Sequence, residues 1–108
     1  MYFFSPAERE RKELFGGVNA RTFWGEHMLL AVVDVPANGV IPPHSHPHEQ
    51  AGMVVAGELT FTVDGETRTL RAGDVYVIPG GVEHSVVAGD APAQALDVFS
   101  PVREEYKY

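Results

Sequence analysis

Glu58-Leu59-Thr60-Phe61-Thr62-Val63-Asp64-Gly65-Glu66-Thr67-Arg68-Thr69-Leu70 is the stretch that decides the fold class. Leu59, Phe61 and Val63 alternate with Glu58, Thr60 and Thr62, the period-two pattern of a half-buried strand. Asp64-Gly65 tolerates the positive φ values of a two-residue hairpin turn, so residues 66–70 read as the returning strand. Outward from this hairpin the same signals recur. Ala72-Gly73 turns the chain into residues 74–78, Pro79-Gly80-Gly81 turns it again, and residues 84–88 and 93–100 supply the last strands. Upstream, residues 52–56 are short and apolar, while residues 18–24 and 27–35 are rich in β-branched, aromatic and apolar side chains, broken at Gly25. Pro36-Ala37-Asn38-Gly39 is a turn. Ile41 leads into Pro42-Pro43, which suit an edge or irregular segment because proline has no N–H to give a ladder. Short strands between Gly/Pro turns predict an all-β sandwich or barrel. Phe23, Trp24, Phe61 and Tyr76 are expected in its core or lining it, with Tyr76 alternatively facing a pocket.

The N-terminal end reads differently. Ser5, Pro6 and Glu8 supply a cap, a first-turn proline and an answering acid, which predicts a short helix over residues 6–13 that ends before Gly16-Gly17. Tyr2, Phe3 and Phe4 are too apolar for a free terminus and are expected to pack on another strand or on a partner subunit. The expected organisation is one domain over residues 1–108: an arm at 1–17, a barrel at 18–100 and a tail at 101–108.

Composition narrows the function. The chain has 108 residues, 15 acidic against 8 basic side chains, a net charge of −7 and no cysteine. The acidic balance gives nucleic acid no basic footprint. No apolar run is long enough for a membrane-spanning helix, and the start has no basic region ahead of an apolar segment, so the expectation is a cytoplasmic protein. Without thiols, any bound ion must be held by imidazole, amide or carboxylate.

Imidazole is concentrated in His44-Ser45-His46-Pro47-His48-Glu49-Gln50. On an extended strand His44 and His46 point to one face and can converge on one ion. Gln50 shares their parity, but a straight strand would carry it roughly 20 Å away, so the chain must bend, with Pro47 the plausible place. His84, after the Pro79-Gly80-Gly81 turn, is the candidate ligand from a distant strand. His48 has the parity to ligate, to contact substrate or to lie exposed. Glu49 reads as solvated or as a neighbour behind the ligands, and His27 as a surface or strand histidine.

These residues resemble the two sequence motifs of the cupin family. The first is matched by Gly39, His44, His46, Gln50 and Gly57, the second by Gly73, Pro79, Gly81 and His84. Four residues rather than five separate Gly39 from His44, glutamine stands at 50 where glutamate is usual, and Ala88 stands where asparagine often closes the second motif. The resemblance implies a double-stranded β-helix, or jelly-roll barrel, with one divalent ion per chain: zinc, nickel, iron or manganese. A three-histidine, one-glutamine shell is neutral and leaves the ion its full charge, which suits holding an anion and Lewis-acid chemistry. Small cupins commonly form homodimers, and the resemblance implies one here.

The second informative stretch is Asp97-Val98-Phe99-Ser100-Pro101-Val102-Arg103-Glu104-Glu105-Tyr106. On a strand Asp97 and Phe99 share a face, which makes Asp97 a candidate buried acid fitted for proton transfer. Arg103 follows the Ser100-Pro101 turn and is placed to take a substrate carboxylate. Alternatively, Asp97 and Arg103 form a structural ion pair at a barrel rim. Taken with residues 44–50, this stretch is similar to the KdgF-type cupins of pectin and alginate catabolism, which convert 4,5-unsaturated monouronates to open-chain keto-acid sugars. The resemblance implies metal ligands at His44, His46, Gln50 and His84. It implies catalytic roles for Asp97 and Arg103, and contacts from Phe99, Arg103, His48 and Tyr76 to a small anionic substrate. Two other readings use the same barrel: a dioxygenase or polyketide-type cyclase, which would need a wide apolar pocket, and a non-catalytic small-ligand binder.

Overall fold

The computed structural model of the chain describes residues 2–108. Ten strands form two antiparallel sheets. They are β1 (Lys12–Phe15), β2 (Val18–Trp24), β3 (Leu29–Val35), β4 (Val40–His44), β5 (Glu49–Ala56), β6 (Glu58–Val63), β7 (Glu66–Arg71), β8 (Val75–Ile78), β9 (His84–Ala88) and β10 (Ala93–Ser100). The six-stranded sheet runs β1-β2-β3-β10-β5-β8 and the four-stranded sheet β4-β9-β6-β7. The hairpin that decides the fold class is β6–β7, with Asp64 and Gly65 at φ 48° and 81°. Pro42 and Pro43 lie on β4, an edge of its sheet, where the register slips between Ile41 and His44.

The expected alternation appears most cleanly in β3 and β10, where buried and half-exposed residues take turns. Leu29, Ala31, Val33 and Val35 meet Ala93, Ala95 and Phe99 from β10, Val54 from β5, and Leu59, Phe61 and Val86 from the opposite sheet. Burying each large aliphatic side chain stabilises the fold by about 1.5–3 kcal/mol.

Two sequence expectations need correction. The helix over residues 6–13 is a single 3-10 turn, Pro6–Glu8, and Ser5 makes no side-chain cap hydrogen bond. Residues 8–13 alternate charges without an apolar stripe, so no helical face exists to bury. Instead Lys12–Phe15 pairs with β2. Gly16-Gly17, at φ 51° and 81°, is the hairpin turn rather than a helix stop. Trp24 lies at the surface, and Phe23, although buried as expected, does not line the barrel. Phe23 lies on the outer face under Phe4 (ring centroids 5.3 Å apart), and Arg9 stacks on Phe23 at 4.6 Å and on Trp24 at 5.9 Å. Tyr2 and Phe3 stay largely exposed, at 90% and 88%.

Candidate functional site

Three rings converge where β4, its following loop and β9 come together. His44 pairs with His84 across the β4–β9 ladder, and the Gly81 N–H donates to the His46 carbonyl (2.8 Å), tying the two loops. One ring nitrogen from each of His44, His46 and His84 lies within 4.8 Å of the others. Each Nδ1 faces a backbone carbonyl: Pro42 at 2.8 Å, His48 at 3.0 Å and Val82 at 2.9 Å. A carbonyl only accepts, so Nδ1 carries the proton and each Nε2 presents a lone pair. This outer arrangement fixes the tautomer of metal-binding histidines. His84 Nε2 is buried with no hydrogen-bond partner. Burial, then the charge of Arg103, holds the His46 pKa below its ordinary value, and burial is also the largest cause lowering that of His84.

Gln50 completes the set. The β4–β5 loop bends the chain, as the parity argument requires, and brings Gln50 Oε1 to 3.0 Å from His46 Nε2. The Gln50 side chain also stands beside Asp97 and favours its ionised form. A carboxylate only accepts, which favours the amide N–H on its side and leaves Oε1 to the histidines. Two acceptors then face each other, an arrangement that a cation between them relieves. Ligands at about 2.1 Å from one ion sit up to roughly 4.2 Å apart, so a small inward movement of the rings closes the group. The donor set fits a divalent ion.

The facing wall comes from β10 and the tail. Asp97 and Phe99 both point inward and are buried, at 7% and 2% exposure. The Tyr76 hydroxyl donates to Asp97 Oδ1 at 2.5 Å. Burial pushes the Asp97 carboxyl up to about 6, although Tyr76, Gln50 and the charge of Arg103 favour the ionised form. Burial, then the Asp97 charge, raises the Tyr76 hydroxyl well above the ordinary phenol range, so it stays a donor. The Arg103 guanidinium lies 4.0 Å from the Tyr106 ring centroid and 5.2 Å from that of Phe99, and its Nε donates to Glu105 at 2.5 Å. Among the described residues Arg103 makes no ion pair with Asp97; Glu105 takes that place. The tail itself is held by Thr22, whose Oγ1 donates to the Tyr106 carbonyl at 2.6 Å.

A cavity of about 230 Å³ joins these groups. His44, Gln50, His84, Tyr76, Asp97, Arg103 and Tyr106 give its polar side, and Phe99 with the aliphatic core the rest of its lining. His46 stands behind that lining. His48 does not line the cavity and is outside the three-histidine group; its ring centroid is 5.7 Å from that of His46. His27 is exposed beside Glu26. Sequence reasoning missed Tyr106, Glu105 and Gly52. The first two sit inside the quoted tail, but nothing in their spacing indicates that Tyr106 and Glu105 flank Arg103.

Comparison with known proteins agrees with this fold. The family defined by the cupin domain matches residues 31–99. The pectin degradation protein KdgF of Dickeya dadantii (strain 3937) is 28% identical over 106 residues, covering 96% of this chain and 96% of that protein. Among solved structures, KdgF from Halomonas sp. has a TM-score of 0.91 at 29% identity and covers 97% of each chain. An RmlC-like cupin from Shewanella frigidimarina NCIMB 400 has a TM-score of 0.92 at 27% identity, covering 98% of this chain and 96% of that one.

Proposed function

The chain belongs to the cupin family, and on that premise we propose that it is a metal-dependent enzyme converting 4,5-unsaturated monouronates to open-chain keto-acid sugars. The observation that carries this reading is one small cavity onto which the histidine group, a buried carboxyl and an arginine all converge. The full-length similarity to a pectin degradation protein supports it. At about 230 Å³ the cavity is below the roughly 300–1,000 Å³ of drug-sized sites, which favours a single sugar acid over a polycyclic cyclase substrate.

The reaction is a net isomerisation. Water adds across C4=C5, hydrogen to C4 and hydroxyl to C5. The bond from C5 to the ring oxygen then breaks, leaving a ketone at C5, and C1, now bearing two hydroxyls, sheds water to become the aldehyde. Arg103 takes the substrate carboxylate, its guanidinium oriented by Tyr106 and Phe99. Asp97, with a carboxyl poised near 6, moves the proton between water and C4. Phe99 packs against the sugar. A zinc, nickel, iron or manganese ion on His44, His46, His84 and Gln50 supplies a Lewis acid whose charge the neutral ligands leave intact. The test offers an unsaturated monouronate to metal-loaded protein and follows the ultraviolet absorbance of the double bond. Decay faster than the spontaneous rate, lost on chelation, is expected. Decay at the spontaneous rate with metal bound would sink the reading and favour a small-ligand binder.

We further infer a homodimer through the outer face of the six-stranded sheet. Leu30, Met53, Val55, Val75 and Val77 are 37–69% exposed there, whereas the outer face of the other sheet carries Thr60–Thr69 and Thr62–Thr67 hydroxyl pairs. Sedimentation at micromolar concentration should give twice the chain mass, and Val75→Glu with Val77→Glu should halve it. A monomeric parent protein removes the inference.

A further inference from the structure

Three residues lie in line across three neighbouring strands. Gly52 on β5 pairs with Tyr76 on β8 to one side and with Asp97 on β10 to the other. Strands lie about 4.8 Å apart, so roughly 10 Å of backbone separates Tyr76 from Asp97. The tyrosine spans it by lying across the bare Cα of Gly52. A Cβ at residue 52 would collide with Tyr76 Cζ and Oη and with Asp97 Oδ1. Phe61 clamps the ring from the opposite sheet, with centroids 4.3 Å apart.

Building on the function proposed above, we propose that Tyr76 is a positioning residue for Asp97, and that Gly52 is the gap that lets it serve. The hydroxyl occupies Oδ1 and fixes the carboxyl rotamer, so Asp97 meets the substrate in one orientation. Beside the expected contact of Tyr76 with substrate, this gives it a role exerted through Asp97. Its ring lines the cavity, but its hydroxyl is committed to the carboxylate.

Tyr76→Phe keeps the ring and removes the donor. Losing one hydrogen bond to a charged group should lower kcat about ten- to hundredfold, with KM within about threefold and metal content per chain unchanged. Gly52→Ala should lower kcat at least as much, since its Cβ displaces both the tyrosine and Asp97 Oδ1, and the double variant should fall little further than Gly52→Ala alone, since the tyrosine's contact is already lost there. A Tyr76→Phe enzyme within about twofold of the parent kcat, losses that multiply in the double variant, or a loss traced to missing metal would each overturn the proposal. The pairing is also read without turnover, from the 13C carboxyl resonance of Asp97. It should move in Tyr76→Phe, and an unmoved resonance overturns the proposal too. A parent protein inactive on the monouronate strikes the proposed function, while the resonance still decides the pairing.

Discussion

The histidine wall and the β10 wall of the cavity meet at Gln50, but they are assembled over different sequence distances. Each histidine takes its orientation from a carbonyl two residues away: His44 from Pro42, His46 from His48 and His84 from Val82. On the β10 wall, Asp97 is held by Tyr76, 21 residues away. The tail that presents Arg103 is tied down by Thr22, 84 residues from Tyr106. On one wall local backbone orients each ring once the β4–β9 ladder has brought His84 to the others; on the other, long-range contacts set the orientations themselves. The two walls should therefore fail in different ways.

The largest effect tests that separation. His84→Ala removes a ring whose Nε2 has no other partner, and should abolish both metal retention and turnover. Asp97→Ala should lower kcat by about 10²–10⁴ while metal per chain, measured by elemental analysis, stays at the parent value. If Asp97→Ala also empties the site of metal, the two walls are one unit and the comparison breaks.

Gln50 is where they join, and its amide explains why glutamine rather than glutamate stands there. Its oxygen faces His46, and its side chain stands beside Asp97, whose ionised form it favours. Gln50→Glu would turn that amide into a second carboxylate against Asp97, and like charges so placed disfavour ionisation of the pair. Metal should be retained at least as tightly, while kcat falls about ten- to hundredfold. Unimpaired turnover in this variant would show that Asp97 does not depend on the amide.

The same difference in distance decides what could be read beforehand. The β6–β7 hairpin and the inward sides of β3 and β10 follow from alternation and turn residues, which are local signals. His44, His46 and His84 were legible because strand parity and a Gly/Pro turn place them. The line Tyr76–Gly52–Asp97 was not, because it depends on β5 lying between β8 and β10, an order fixed by sheet topology. Residues 8–13 misled for a related reason: a proline start and alternating charges suit a helix, but pairing across Gly16-Gly17 with an already buried β2 is worth more than an isolated short helix. Phe23 and Trp24 looked like barrel lining because residue type reports apolarity, not which face of the sheet the arm covers.

Arg103→Lys probes the β10 wall without touching the histidines. The guanidinium lies against Tyr106 and Phe99 and gives one N–H to Glu105. Lysine keeps the charge but loses the planar fork and the stacking. KM for the anionic substrate should rise about tenfold with kcat within a fewfold of the parent, the pattern of a lost binding contact. An unchanged KM would mean that the carboxylate is held elsewhere.

The smallest effect belongs to the anchor farthest from the chemistry. Thr22 is 1% exposed on β2, and its hydroxyl donates to the Tyr106 carbonyl. Thr22→Val keeps the shape and removes that donor, at a cost of about 1 kcal/mol. For a chain of this size such a loss lowers Tm by roughly 4–8 °C. Metal content should not change, because no histidine depends on β2. Tyr106 would hold Arg103 less firmly, so KM should rise about two- to threefold with kcat nearly constant. If KM stays at the parent value while Tm falls, Thr22 stabilises the fold without positioning Arg103, and the long-range character assigned to this wall shrinks to Tyr76 and Gly52.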